Sequence, residues 1–117
     1  GAFLSGGLSI EVAFQEKLPF VVIIDNNGGL DCISQQQERM FKSGAHFATD
    51  FRDIPFHEMF KGLGGYGELV TNRNDIKSAV KRAVDSNKTA CINVKTRGQI
   101  SPIVAATSDK RDKSSIE

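Results

Sequence analysis

A continuous apolar run, Phe20–Ile24, constrains the fold more than any other feature, because none of its residues is polar. A strand with one solvated face alternates apolar and polar side chains, whereas a strand covered on both faces stays apolar throughout. The run therefore predicts a central strand of a parallel sheet with helices on both sides. Pro19 separates it from a preceding helical pattern, and Asn26–Gly29 ends it.

Helical and strand patterns alternate along the rest of the chain. Periodicity and capping residues predict helices over Leu8–Lys17, after Pro55 and after Asn72, and strands over Tyr66–Val70 and Thr89–Val94. Residues 35–40 are compatible with a helix and residues 42–53 with a loop. Alternating helices and strands indicate the α/β class, a parallel sheet flanked by helices.

Bulk composition excludes several classes of protein. The 117 residues leave room for one small core, and 39% hydrophobic with 25% charged residues is ordinary for a globular domain. A net charge of +1 gives no reason to expect nucleic acid as a partner, and no apolar run could span a membrane. Cys32 and Cys91 belong to no paired motif, which predicts reduced thiols in a cytoplasmic protein.

Two short segments could carry chemistry. Asn26–Gly29 follows a buried strand, and ligands of α/β sheets bind outside the carboxyl ends of strands. Asparagine and main-chain carbonyl oxygens suit Mg²⁺, although the same residues also form Asn-Gly hairpin turns. Gly1–Phe3 comes before the first predicted helix, where exposed amides can hold a phosphate, but glycine at a chain start is also simply flexible. The residues alone leave these alternatives open.

Together the two segments resemble the thiamine-diphosphate motif, in which a Gly-Asp-Gly is followed, one helix later, by paired asparagines that close a strand. The resemblance continues through Phe60–Gly67 and Ala90–Val94. Within the family, the sequence most resembles the group of acetolactate synthase, benzaldehyde lyase and oxalyl-CoA decarboxylase. It implies a partial thiamine-diphosphate-binding domain over residues 1–105, an incomplete form of that fold. The polar residues 106–117 are expected to be a disordered tail.

The resemblance also implies roles for individual residues. Gly1 matches the last glycine of Gly-Asp-Gly, and with Ala2 it would offer backbone donors to the diphosphate. Asn27 would bind Mg²⁺ through its side chain and Gly29 through its main-chain oxygen, while Asn26 would brace the turn.

Two further residues and one position outside the sequence complete the implied site. Cys32 and Ile33 would lie near the reacting end of the cofactor, although simple packing explains them equally well. The family places a magnesium-binding aspartate directly before the position of Gly1, outside this sequence. Asp25 is not expected to replace it, because on an extended strand it points away from Asn26.

In the family, the cofactor's thiazolium ylid adds to a 2-oxo acid and stabilises the carbanion left after decarboxylation. A glutamate on a separate pyrimidine-binding domain, usually from another subunit, activates the ring. The resemblance thus implies a fragment of a 2-oxo acid decarboxylase or carboligase, a lyase or transferase, that binds thiamine diphosphate and Mg²⁺. It would be inactive alone, with no catalytic residue of its own, and would form a dimer or another homo-oligomer or require the missing domain.

Two alternatives come from other functional classes. One is a non-catalytic assembly module that keeps the fold, and the other is an unrelated small α/β phosphate-binding domain. His46 and His57 have no metal-ligand or triad partner at a telling spacing, which favours surface roles for both.

Overall fold

The computed structural model describes residues 1–41, 44, 46–98 and 102 of the chain. The elements in chain order are α1 (Ala2–Gly6), α2 (Glu11–Gln15), β1 (Val21–Asn26), α3 (Asp31–Phe41), α4 (Phe56–Gly62), β2 (Tyr66–Val70), α5 (Ile76–Asp85) and β3 (Ala90–Lys95). They belong to two compact units. The first comprises Gly1–Asn27 and Asp53–Thr96, and the second comprises Gly28–Arg52 with the described residues from Arg97 onward.

A three-stranded parallel sheet in the order β1-β3-β2 forms the centre of the first unit. Val21 of β1 and Tyr66 of β2 both pair with Ala90, so the three strands start level with one another. Parallel strands need crossover connections, and here helices supply them. The sequence therefore predicted the fold class, the three strands and their direction correctly. The predicted central position of the Phe20–Ile24 run is wrong: among the described strands β1 lies at the edge and β3 is central, and Ile23 of β1 is 56% exposed.

Helix α5 covers one face of the sheet. Its alanines Ala79 and Ala83 are buried against Val70, Ala90 and Ile92 of the strands. The apolar stripe at helical spacing explains this packing, since small side chains let the helix approach the sheet closely. The helix is preceded by a 3₁₀ turn, Arg73–Asp75, in which the predicted N-cap Asn72 accepts a hydrogen bond from the amide of Asn74 at 3.0 Å.

The opposite face is covered by α4 and by the helical opening of the chain. Phe60 of α4 is 1% exposed and contacts the rings of Phe3 and Phe14, with centroids 6.1 and 5.6 Å apart. Ile24 and Cys91 complete this cluster from the strands. Burial raises the pKa of the Cys91 thiol to about 12, so the thiol stays protonated and acts as a small core residue.

The opening of the chain differs from the predicted helix over Leu8–Lys17. Helix α1 already begins at Ala2, a 3₁₀ turn occupies Gly7–Ile10, and α2 ends at Gln15. Phe3 explains the early start, because its ring packs on the α4 cluster and anchors the first turn. The helix ends before Pro19, since Lys17 adopts a left-handed conformation with φ of 53°.

The second unit contains α3, which runs from Asp31 to Phe41 and is therefore longer than the predicted helical segment 35–40. All of the predicted polar tail 106–117, and the end of the predicted domain 1–105, lie outside the described residues. Within the described part of the chain, no helix combines the length and apolar character needed to cross a membrane.

Candidate functional site

The carboxyl edge of the sheet is tied together by two buried asparagines. Asn26 ends β1 and donates its side-chain amide to the carbonyl oxygen of Ile54 at 3.2 Å, and Asn93 of β3 reaches the same oxygen at 3.5 Å. Asn93 is fully buried and also contacts Nδ1 of His57 at 3.2 Å. The segment before α4 is thus held across the ends of two neighbouring strands.

Residues just beyond the strands add to this edge. The amide of Thr96 donates to the carbonyl of Asn26 at 3.1 Å, and the Thr96 hydroxyl hydrogen-bonds the carboxylate of Asp25. Lys95 forms an ion pair with Asp53. Asp25 is exposed on the face opposite to Asn26, as the alternation of a strand requires, so it faces away from the buried amide network.

The asparagine pair therefore divides into two positions with different surroundings. Asn26 is 7% exposed, and its side-chain amide donates the hydrogen bond to the Ile54 carbonyl. Asn27 follows the strand directly and is half-buried. The structure shows Asn26 bracing the segment at Ile54, while its predicted bracing of its own turn stays a prediction.

The chain start belongs to the first unit and packs through Phe3. Gly1 is the N-cap of α1, without a side-chain cap, and Gly1 and Ala2 are both exposed. Two residues later, the ring of Phe3 meets that of Phe56 edge-on at 5.3 Å. Phe56 comes two residues after Ile54, so this contact joins the first turn of α1 to the segment that Asn26 and Asn93 hold.

In the second unit, glycine is favoured at Gly28 by the backbone conformation and at Gly29 by a close backbone neighbour. Gly28 has φ of +80°, and a Cβ on Gly29 would lie 2.7 Å from the carbonyl oxygen of Thr49. Gly29 forms an antiparallel bridge with Asp50. The flanking hydrogen bonds are Leu30 N to Thr49 O at 2.8 Å and Phe51 N to Gly28 O at 2.7 Å. These two bonds are made by the neighbours of Gly29 and Asp50.

Comparison with known proteins now decides the family. The family model described as the C-terminal TPP binding domain of thiamine pyrophosphate enzymes matches residues 1–94. The chain belongs to this family.

Individual relatives agree with the family assignment. A probable acetolactate synthase of Mycobacterium bovis is 29% identical over 97 residues, which cover 82% of this chain and 17% of that protein. A 2-hydroxyacyl-CoA lyase of Oryza sativa subsp. japonica is also 29% identical over 97 residues, covering 74% of this chain and 16% of the relative.

Solved structures share the fold. The thiamine diphosphate-dependent 4-hydroxybenzoylformate decarboxylase of Rhodococcus jostii RHA1 matches with a TM-score of 0.72 and 28% identity, covering 86% of this chain and 19% of that one. The benzoylformate decarboxylase of Polynucleobacter necessarius has a TM-score of 0.73 at 18% identity, over 87% of this chain and 19% of that one. This C-terminal TPP-binding domain chain thus spans less than a fifth of the length of each of these relatives.

The donor atoms of this TPP-binding chain are of a kind that suits the metal the family implies. Asn27 offers a side-chain oxygen and Gly29 a main-chain oxygen, and both are hard neutral ligands of the type that Mg²⁺ accepts. Among the described residues there is no group of three His, Cys, Asp or Glu side chains that could hold a metal ion.

Cys32 and Ile33 lie in the first turn of α3 and are both exposed. Sequence reasoning missed the pairing of Asn93 with Ile54. The sequence feature that could have indicated this pairing is the asparagine inside the otherwise apolar run Ala90–Val94. A polar side chain buried in such a strand requires a hydrogen-bond partner.

Proposed function

We propose that this chain forms the diphosphate- and magnesium-binding part of a thiamine-diphosphate-dependent decarboxylase or carboligase of the acetolactate synthase type, acting on 2-oxo acids. The observation that carries the proposal is a coincidence of two features. The family match extends over residues 1–94, and within it the Asn26–Asn27 pair lies at the carboxyl end of β1.

The start of α1 would bind the diphosphate. Gly1 and Ala2 are exposed, and amides at the start of a helix have no intrahelical acceptor. They would donate hydrogen bonds to phosphate oxygens, helped by the positive end of the peptide dipoles. The contact of Phe3 with Phe56 supports this role, because it joins the first turn of α1 to the segment held by Asn26 and Asn93.

Asn27 and Gly29 would supply two metal ligands. They are two residues apart, so their Cα atoms cannot be separated by more than about 7–8 Å. The Asn27 side-chain oxygen and the Gly29 carbonyl would bind Mg²⁺, which also takes phosphate oxygens. The aspartate that the family places directly before the position of Gly1 would add the negative charge that these two ligands lack.

When bound, thiamine diphosphate supplies the carbanion-stabilising chemistry at its thiazolium ring. This chain would hold and orient the diphosphate, while Cys32 and Ile33 would face the reacting end and the substrate. A pyrimidine-binding domain, in the same longer protein or in another subunit of a homo-oligomer, would complete the active site in the cytoplasm.

Isothermal titration calorimetry tests the proposal. Thiamine diphosphate titrated into the 117-residue chain with Mg²⁺ should release saturable heat that disappears when EDTA is added. Asn27→Ala should weaken binding about tenfold or more, because a metal ligand is lost. Asn74→Ala is the matched control, since Asn74 is exposed in a 3₁₀ turn. Heat without Mg²⁺ dependence, or equal losses in both variants, would count against the proposed site.

A second candidate is an assembly module that keeps the fold without binding cofactor. Exposed apolar side chains in the first unit favour it: Leu8 is 78%, Val12 56% and Ile23 56% exposed. A correctly folded chain that gives no heat with thiamine diphosphate and Mg²⁺, but self-associates in sedimentation experiments, would support this candidate. The family match over residues 1–94 rules out the other alternative raised by the sequence, an unrelated small phosphate-binding domain.

A further inference from the structure

His46 has a carboxylate at each of its ring nitrogens. Its Nε2 lies 2.6 Å from Oε1 of Glu38, and its Nδ1 lies 3.0 and 3.1 Å from the two carboxylate oxygens of Asp50. A neutral imidazole has only one N–H and can donate to only one of these partners, whereas the imidazolium donates to both. The geometry therefore matches the protonated ring.

The two carboxylates belong to different segments. Glu38 projects from α3, while Asp50 is in the loop that returns to Gly29. Among the described residues, these are the charged groups that act on the ring. The hydrogen bond to Glu38, followed by that to Asp50, raises the pKa of His46 above its usual value. The side chain is 34% exposed, so solvent protons can reach it.

Neighbouring contacts hold the same loop on the same side of α3. The side-chain amide of Gln37 donates to the carbonyl of Phe47 at 3.1 Å, and its oxygen accepts from the Phe47 amide at 2.8 Å. The Phe47 ring meets Phe41 edge-on, with centroids 6.5 Å apart. Both rings are more than 60% exposed, so their burial contributes little and the polar contacts matter more.

The loop is also connected to the glycine pair. Asp50 bridges Gly29, and the carbonyl of Thr49 accepts from the amide of Leu30 at 2.8 Å. Movement of residues 46–50 away from α3 would therefore act on the backbone at Gly29 and Leu30. This link exists within the second unit and does not depend on any bound cofactor.

We propose that His46 is a pH-sensitive latch, which holds the loop 46–50 on α3 when its ring is protonated and releases it when the ring is neutral. Loss of the proton leaves a nitrogen lone pair facing a carboxylate, which replaces one attraction with a repulsion. The sign follows from linkage. A histidine with a raised pKa in the folded state contributes its full stabilisation below the pKa of the unfolded chain. That stabilisation is lost as the pH rises through the folded-state pKa.

Nuclear magnetic resonance on the 117-residue chain tests the latch. Long-range ¹H–¹⁵N spectra of the imidazole should give His46 a titration midpoint above the ordinary histidine value of about 6.5. Across that midpoint, the protection of the Phe47 and Leu30 amides against hydrogen exchange should fall by about threefold or more, after correction for intrinsic exchange. The amide of Ile92, in the central strand, should keep its protection.

Variants separate the latch from a general effect of pH. Glu38→Gln and Asp50→Asn should each lower the His46 midpoint, and Glu68→Gln should not, because Glu68 pairs with Arg82 in the first unit. A wild-type midpoint at or below the ordinary value would overturn the proposal. So would unchanged protection of Phe47 and Leu30 across the midpoint.

Discussion

The side-chain amide of Asn26 donates a 3.2 Å hydrogen bond to the backbone carbonyl of Ile54, which lies 28 residues further along the chain. This bond connects the end of β1 to the segment that leads into α4, and Asn93 reaches the same carbonyl from the central strand. Two buried polar side chains thus fix the edge of the sheet at which we propose that the cofactor binds. Removing either side chain should therefore lower the free energy of unfolding.

We expect Asn26→Ala to lower the free energy of unfolding by about 1–2 kcal/mol, because a buried hydrogen bond is lost and the cavity is small. Urea denaturation followed by circular dichroism measures this change. Asn74→Ala, at an exposed position, should stay within about 0.5 kcal/mol of the wild type. Equal effects in the two variants would show that the Ile54 contact contributes nothing.

We expect Gly29→Ala to be destabilising by about 1–3 kcal/mol, because the new methyl group would lie 2.7 Å from the Thr49 carbonyl and the backbone would have to shift. The measurement is again urea denaturation, together with the chemical shifts of Leu30 and Phe51. Gly62→Ala is the control, since a Cβ there meets nothing within 4 Å at the end of α4. A Gly29→Ala variant as stable as this control would contradict the close approach.

Much of the first unit could be predicted from local pattern. The apolar run Phe20–Ile24 indicated the strand β1, but not its edge position or the exposure of Ile23. The stripe of α5 indicated its packing, because helical spacing selects one face. Asn72 and Pro55 also indicated helix starts. An asparagine side chain can accept a hydrogen bond from a free amide at a helix start, and proline is tolerated there because it lacks an N–H. The structure confirms these elements.

The opening helix and the asparagine network could not be obtained in this way. The early start of α1 depends on Phe3 packing against Phe56, a contact between residues far apart in sequence. Asn93 is a polar residue in a mostly apolar strand, but nothing local identifies Ile54 as its partner. The roles of Asn27 and Gly29 as metal ligands stay predictions, to be decided by the calorimetry proposed above.

We expect Phe60→Ala to cost about 3–5 kcal/mol of stability, because a fully buried ring is removed from the cluster that joins α4 to the chain opening. Differential scanning calorimetry should show a large drop in the midpoint temperature. Met59→Ala, one residue earlier and 37% exposed, should cost less than about 1 kcal/mol. If the two variants melted together, the Phe3, Phe14 and Phe60 contacts would not be stabilising the first unit.

We expect the two cysteines to differ sharply in reactivity. Cys91 is fully buried, and burial raises the pKa of its thiol to about 12, so it has neither solvent access nor a useful thiolate fraction near neutral pH. Cys32 is exposed in the first turn of α3. A thiol-reactive probe at pH 8 should therefore label one cysteine per folded chain and both in urea. Cys32→Ser should abolish the folded-state labelling, and Cys91→Ser should leave it unchanged. Rapid labelling of both thiols under native conditions would mean that the core around β3 opens on the timescale of the reaction.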